Sequence, residues 1–273
     1  MNIGIIGQGF VGNAIYQRFK NYYNVLTFDL EESKSNSSIN DLFNCQIIFL
    51  CLPTPMNKDG SCHVDIVEQE LMGLNIFAKE SIVVIKSTVP PGSVENWNSR
   101  FKDIDIVFNP EFLTEVNAVE DFNKTTRIIL GGPRKATTLL KRIYSKVFAH
   151  AHIVKTGSTH AEMVKYVTNT FLATKVSFAN EIYQICEGLN LDYDKVIEYS
   201  TLDKRLGKSH WQVPGPDGDF GYGGHCLPKD VRALINVAEN AGVFPEILIS
   251  TNDKNNEVRN NKDWEDMKGR AVI

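Results

Sequence analysis

Short apolar runs recur through the first half of the chain, at Asn2–Ile6, Val25–Asp29, Ile47–Leu50, Ile82–Lys86, Asp105–Phe108 and Arg127–Gly131. Their length and their Ile, Val and Phe content predict buried β-strands. Between them, apolar positions at helical spacing predict helices over Gly12–Asn21, Val64–Ala78 and Ala136–Phe148. Strands alternating with helices predict an α/β fold, a Rossmann-type doubly wound parallel sheet with crossovers on both faces.

After Thr156 the period changes. From His160 to Gly188 the pattern is helical without a break, with Met163, Tyr166, Val167, Phe171, Leu172 and Val176 at helical spacing. Shorter helices are predicted at Tyr193–Ser200 and Val231–Ala241, with a Gly/Pro-rich loop at Val213–Leu227 between them. The tail from Asn252 is polar, with helix-compatible spacing over Lys254–Met267. This predicts a dinucleotide-type domain over 1–155, a helical central domain with a long connecting helix over 156–254, and a polar C-terminal tail over 255–273.

The net charge of −4 removes the basic excess expected of a nucleic-acid binder. No apolar run reaches membrane-spanning length. The first residues read as a buried strand ending at Gly7 rather than as a signal peptide. Five cysteines without metal-like or disulfide-framework spacing imply no metal site and fit a reducing cytoplasm. Cys51 and Cys186, inside apolar patterns, read as small core residues.

Gly7-Gln8-Gly9-Phe10-Val11-Gly12 follows the first strand and opens the first helix. Such glycines serve a tight turn, a close approach to a pyrophosphate and close helix–strand packing, and the helix start offers free N–H groups to phosphates. Asp29 closes the second strand at the distance where a carboxylate accepts from the adenosine ribose hydroxyls and repels a 2′-phosphate, which favours NAD over NADP. Lys34 either adds a cofactor contact or is a surface charge beside Glu31 and Glu32.

Phe220-Gly221-Tyr222-Gly223-Gly224-His225-Cys226-Leu227-Pro228-Lys229-Asp230 carries the strongest chemical signal. Closely spaced glycines let a ligand lie against the main chain, and His225 and Lys229 flank Cys226 with cations that favour a thiolate. A cysteine in a glycine-rich loop is otherwise a small buried hydrophobe. Lys165 and Asn169 are four apart on one face of the long helix and interrupt apolar sequence, so they are either site residues or a solvated face. Phe108–Glu115, Lys86–Pro91 and Leu52–Pro55 each follow a predicted strand, at the end of an open sheet where ligands bind.

Taken in order, these segments resemble the UDP-glucose/GDP-mannose dehydrogenase family. Gly7–Gly12, Cys51–Pro55, Ser87–Gly92, Asn109–Glu115, Lys165–Glu181 and Gly221–Asp230 are similar to its six ordered motifs. The resemblance implies two successive hydride transfers to NAD that take a nucleotide-sugar C6 alcohol to a carboxylate, with UDP-glucose the favoured substrate. Cys226 would be the covalent nucleophile, passing through a thiohemiacetal and a thioester. Lys165 and Asn169 would stabilise the oxyanion, Asp230 would be the acid/base residue, and Thr88 and Glu115 would position a water or proton relay. Phe10, Val11, Thr54, Thr88, Glu115, His225 and Lys229 are expected at the cofactor. Glu111, Phe112, Leu113, Glu115, Gly223 and His210 are expected at the sugar, and Arg205 near the phosphates. In the family the long helix is a dimer seam, so a homodimer is expected.

The sequence also departs from the family. Gly207–Asp219 is lengthened, and its Trp211 either stacks on a base or packs in the core. Its PGP wording is similar to the N-acetylated-sugar branch, whereas Leu227–Asp230 is similar to the UDP-glucose and GDP-mannose branches. The nucleotide-gripping third domain opens in the family with a strand like Lys268–Ile273, where this sequence stops, so a minimal enzyme is expected. A one-step β-hydroxyacid dehydrogenase, or a binding module without turnover, are the competing readings.

Overall fold

The computed structural model describes all residues from Met1 to Ile273, in two compact units. The first comprises Met1–Thr54 and Val64–Lys165; the second comprises Pro55–His63 and Tyr166–Ile273.

In the first unit a seven-stranded sheet is built from β1 (Asn2–Ile6), β2 (Asn24–Phe28), β3 (Ile47–Leu50), β4 (Ile82–Ile85), β5 (Asp105–Phe108), β6 (Arg127–Gly131) and β7 (His152–Thr156), in the order β2-β1-β3-β4-β5-β6-β7. The first five strands are mutually parallel; β6 pairs antiparallel with β5, and β7 runs parallel to β6. The sheet is therefore mostly parallel, with a reversed edge. Strand β7 escapes the hydrophobic reading because it is an exposed edge carrying His152 and Lys155.

The helices of this unit are α1 (Phe10–Phe19), α2 (Ile39–Leu42), α3 (Asp65–Phe77), α4 (Ser93–Arg100), α5 (Ala118–Asn123) and α6 (Arg134–Val147). Alternate strand side chains divide between two cores, as a sheet covered on both faces requires. Ile3, Ile5, Phe49, Val84 and Val107 pack with Phe19, Phe122, Leu140 and Tyr144 of α1, α5 and α6. Ile48, Leu50, Val83, Ile85 and Phe108 pack with Leu42, Leu71, Leu74 and Trp97 of α2, α3 and α4.

Helix α7 (Ser158–Leu189) is 32 residues long and unbroken. The first unit ends within it at Lys165, not near 155, because Ala161 is packed in the second of those cores and Glu162 is fully buried. The Glu162 carboxylate accepts from the N–H of Gly92 (2.6 Å) and of Val94 (2.9 Å), capping the start of α4. Burial pushes its carboxyl up to about 7 against the pull of those donors, and Glu95 adds to the rise. A carboxyl raised on folding contributes stability that is complete below its unfolded value of about 4.3 and is lost as pH rises through about 7. Between pH 5 and 8 the wild-type melting temperature should therefore fall further than that of Glu162→Gln. Parallel melting curves for the two proteins across that window would contradict this.

The second unit contains the rest of α7, α8 (Tyr193–Ser200), α9 (Leu227–Asn240) and α10 (Glu246–Val258). Its Pro55–His63 segment forms isolated bridges from Met56 to Cys62 and to Val272. After α10 the chain turns through a 3-10 helix at Asp263–Asp266, and Arg259, Trp264 and Ala271 are buried. Helix α10 starts at Glu246 and ends at Val258, earlier than the spacing predicted, and Asn255 and Arg259 at its end make buried hydrogen bonds. No helix is long and apolar enough to cross a membrane.

Candidate functional site

In the first unit each glycine of the Gly7–Gly12 turn has its own reason. Gly7 has φ +89°, and a Cβ there would lie 2.4 Å from the Cys51 carbonyl oxygen. A Cβ on Gly12 would lie 1.9 Å from the Gly7 carbonyl oxygen, so α1 can approach β1 only without it. Around Gly9, the residue that caps α1, there is open space. The turn is thus tight behind and clear in front, which is the shape a pyrophosphate needs at a helix start.

Beside it lies a cavity of about 560 Å³ lined by Gln8, Gly9, Phe10, Asn13, Tyr16, Thr27, Ser33, Lys34, Ser35 and Asn36. Asp29 accepts from the backbone N–H of Gln8 (2.6 Å) and of Glu31 (2.9 Å), which ties the end of β2 to the glycine turn. The Gln8 side-chain amide nitrogen is buried without a hydrogen-bond partner, a donor waiting in the wall of the cavity. Lys34 lines the cavity while ion-paired with Glu31. These residues fit a dinucleotide: a clear glycine face, a carboxylate at the strand end and an unspent donor.

The loops after the strands are fastened to one another. The Ser87 hydroxyl donates to the Leu52 carbonyl (2.6 Å) and accepts from the Leu52 N–H (3.1 Å), which joins the Ser87–Gly92 and Cys51–Pro55 loops. Thr54 is buried and Thr88 half-buried. Behind the Asn109–Glu115 loop, the buried Lys86 ammonium donates to Asn109 (2.9 Å) and pairs with the Glu111 carboxylate (3.0 Å). The Tyr144 hydroxyl donates to the same Asn109 oxygen (2.5 Å). Sequence reasoning missed this network; its only trace was a lysine at the end of an apolar strand.

Glu111 therefore spends its carboxylate on Lys86, and its backbone carbonyl accepts from Lys165. The Phe112 ring meets two cations, with the Arg127 guanidinium 4.2 Å and the Lys165 ammonium 5.4 Å from its centre. Leu113 packs on the core, and Glu115 is exposed next to Thr114, which is held by Asp121 at 2.5 Å. Lys165 is thus placed by the loop that sequence analysis expected at the sugar.

In the second unit α9 begins at Leu227, earlier than the apolar pattern predicted, because Pro228 is accommodated in its first turn. Cys226 is consequently the residue at the helix start, where the partial positive charge of the helix favours a thiolate nucleophile. One turn on, Asp230 is 1% exposed; it accepts from the Asn169 amide (2.5 Å) and pairs with the Lys229 ammonium (2.6 Å). Burial alone would depress the Lys229 ammonium, but Asp230 more than offsets it, with negative charge on the sulfurs of Cys62 and Cys226 adding, so its pKa rises. Lys229, expected at the cofactor, is committed to Asp230.

The remaining cysteines differ in setting. Burial pushes the Cys45 thiol up to about 11 and the Cys51 thiol up to about 12. Cys186 is buried in the core of the second unit with Tyr193, Trp211 and Val213.

Other expected residues are not drawn into this network. Arg205 is 88% exposed at its side chain and ion-paired with its neighbour Asp203. His210 is exposed, with φ +67°. Trp211 is 9% exposed, donates to the Gly207 carbonyl (2.9 Å) and packs edge-on against Phe178, so the core alternative holds and the indole is not open for a base.

Known protein families match both parts of the chain. Residues 32–151 match the model of the NAD binding domain of the UDP-glucose/GDP-mannose dehydrogenase family, and residues 159–257 match that of its central domain. The chain is 34% identical over 251 residues to a UDP-glucose 6-dehydrogenase of Rickettsia bellii, an alignment covering 89% of this chain and 57% of that protein. It is 31% identical to the UDP-glucose 6-dehydrogenase AglM of Haloferax volcanii, covering 93% of this chain and 69% of that one. Among solved structures it is similar to a UDP-glucose dehydrogenase from Pyrobaculum islandicum, with a TM-score of 0.84 at 28% identity, covering 94% of this chain and 68% of that chain. The chain spans about half the length of the first curated relatives it matches, from 46% to 57%.

Proposed function

The chain belongs to the UDP-glucose/GDP-mannose dehydrogenase family, with an NAD-binding domain followed by the central domain, and from that premise we propose that it oxidises the C6 alcohol of a nucleotide sugar to a carboxylate, with UDP-glucose the favoured substrate. The observation that carries this reading is Cys226 at the start of α9 with the buried Asn169–Asp230–Lys229 network one turn away. A single oxidation of an alcohol needs no thiol; a thiol placed there suits an aldehyde that must be held for a second oxidation.

NAD, when bound along the Gly7–Gly12 turn and Asp29, supplies the hydride acceptor for each oxidation. Thr54, Thr88 and His225 are assigned to holding it. In the first oxidation the alcohol proton passes to the relay held by Thr88 and Glu115, the hydride goes to the cofactor, and an aldehyde is left. The Cys226 thiolate then adds to the carbonyl carbon, and the oxygen of the resulting thiohemiacetal is stabilised by Lys165 and Asn169. Loss of a second hydride leaves a thioester. Water positioned by Thr88 and Glu115 attacks it, Asp230 moves the proton, and the carbon–sulfur bond breaks to give the carboxylate and regenerate the thiol. Phe112, Leu113 and Gly223 are assigned to the sugar and Arg205 to its phosphates. Cysteines that form no disulfide suit a cytoplasmic setting.

The test is stoichiometry. With UDP-glucose, GDP-mannose and a UDP-N-acetylated hexosamine as a panel, two NADH per sugar are expected from the true substrate. With NADP, catalytic efficiency should be lower by roughly tenfold or more, about 1.4 kcal/mol, as an Asp29 carboxylate accepting from the ribose hydroxyls would repel a 2′-phosphate. One NADH per substrate would favour a one-step dehydrogenase, and none with any sugar would leave an NAD-binding module.

The chain is also assigned as a homodimer. Met163, Val167, Phe171, Phe178, Ile185 and Leu189 fall on one face of α7 and are 40–67% exposed. A stripe of that size along one helix is unusual for a monomer surface. Light scattering at micromolar concentration should give the mass of two chains, and Phe171→Asp should halve it; a monomeric wild type would refute the assignment.

A further inference from the structure

The Gly221–Gly224 backbone is held from behind by side chains of the C-terminal segment. Asn255 on α10 accepts from the Tyr222 N–H (2.7 Å) and donates to the Tyr222 carbonyl (3.0 Å). The Arg259 guanidinium, 2% exposed, donates to Asp217 (2.8 Å), to Asp263 (3.1 Å) and to the Phe220 carbonyl (3.4 Å). Its Nε donates to the Asn261 carbonyl (2.7 Å). Asp263 in turn accepts from the Gly224 N–H, at 3.0 and 3.2 Å from its two oxygens.

The glycines record how closely this group presses on the loop. A Cβ on Gly223 would lie 2.2 Å from Arg259 and 2.3 Å from Asp263. A Cβ on Gly221, where φ is +68°, would lie 2.3 Å from the Asn255 side-chain oxygen. Gly223 is therefore required by the clamp behind it, whatever binds in front. A guanidinium is costly to bury without partners, and here its partners include the Phe220 carbonyl of the loop and the Asp263 carboxylate, which itself holds the Gly224 N–H.

We propose that Arg259, with Asp263 and Asn255, is a positioning clamp that fixes the Phe220–Gly224 backbone and through it the Sγ of Cys226. The proposal rests on Cys226 being the nucleophile. Cys226 follows Gly224 by two residues and opens α9, so a shift of the loop is passed to the sulfur. Displacement of a reacting group by about 1 Å costs about a hundredfold in rate. Loosening also takes the sulfur from the helix start and from the Lys229 ammonium, both of which favour its thiolate.

The experiment compares the wild-type chain with Arg259→Met, Arg259→Lys and Asp263→Asn. Two quantities are read: the pH profile of Cys226 alkylation by iodoacetamide, followed on its own peptide by mass spectrometry, and kcat and KM for NAD. In Arg259→Met the alkylation midpoint should move to higher pH, and kcat should fall about a hundredfold, a larger change than that in KM for NAD. Arg259→Lys should recover part of both. Asp263→Asn, which keeps the side chain's shape, should shift the same way by less, and it decides the matter if Arg259→Met does not fold. Folded Arg259→Met and Asp263→Asn proteins with the wild-type alkylation profile would overturn the clamp. If instead the wild type turns over no nucleotide sugar while the variants still move the alkylation profile, the clamp stands and the dehydrogenase reading falls.

Discussion

Cys226→Ser is expected to stop net acid formation, by a factor on the order of a thousand or more, while NAD binding by the first unit stays unchanged. The sulfur is required because the second oxidation needs a carbonyl adduct that persists, and a serine hydroxyl at neutral pH is neither ionised nor nucleophilic enough to trap the aldehyde. Cys226 is singled out by its place at the start of α9. Cys45 and Cys51 sit where burial pushes their thiols up to about 11 and about 12, so neither can substitute. Cys45→Ala, Cys51→Ala and Cys62→Ala should keep turning over. Following uronate by chromatography separates the outcomes, and appreciable carboxylate from the serine variant would end the covalent mechanism.

Asp230→Ala should be nearly as damaging, and for two reasons that can be measured apart. Asp230 and Lys229 are both buried and ion-paired at 2.6 Å, and removing the carboxylate strands a buried ammonium. Breaking one side of such a pair costs about 3–5 kcal/mol, which denaturant unfolding of the second unit should show. Turnover should fall as well, because the Asn169 amide loses its acceptor and the proton relay its acid/base group. Replacing both residues, as Lys229→Met with Asp230→Leu, should return much of the stability, since well-packed apolar pairs replace buried ion pairs at little cost, but none of the turnover. If the double variant stayed as unstable as the single one, the ion pair would not be the source of the loss. Lys229 should not confer pH dependence near neutrality. Lys229 has a raised pKa, so its contribution is complete below the unfolded value of about 10.4 and is lost only as pH rises through the still higher folded value.

Much of the fold is legible in the order of the amino acids alone. The strands at Asn2–Ile6, Ile47–Leu50, Asp105–Phe108 and Arg127–Gly131 fall where their apolar runs do. The glycine turn also does what its spacing implies, since Gly7 and Gly12 are closed to a Cβ and Gly9 is open. These are local properties. A buried strand needs consecutive apolar residues, and a left-handed or crowded backbone position needs glycine, so a single residue type reports each.

What only the tertiary structure decided is where buried polar groups find their partners. The sequence placed Lys165 and Asn169 on one helix face, but not the Glu111 carbonyl that accepts from one or the Asp230 carboxylate that accepts from the other. It held no sign that Lys86, Asn109 and Tyr144 meet, that Trp211 turns inward, or that Arg259 in a polar tail lies buried behind Gly223. Nor did it reveal β7, an edge strand whose two apolar residues, Ile153 and Val154, stand between exposed His152 and Lys155. The reason is common to all of them. Burial of apolar surface is non-directional and shows in composition and period, whereas a buried hydrogen bond or ion pair is satisfied only by a particular partner, often far away along the chain, which the fold alone brings within reach.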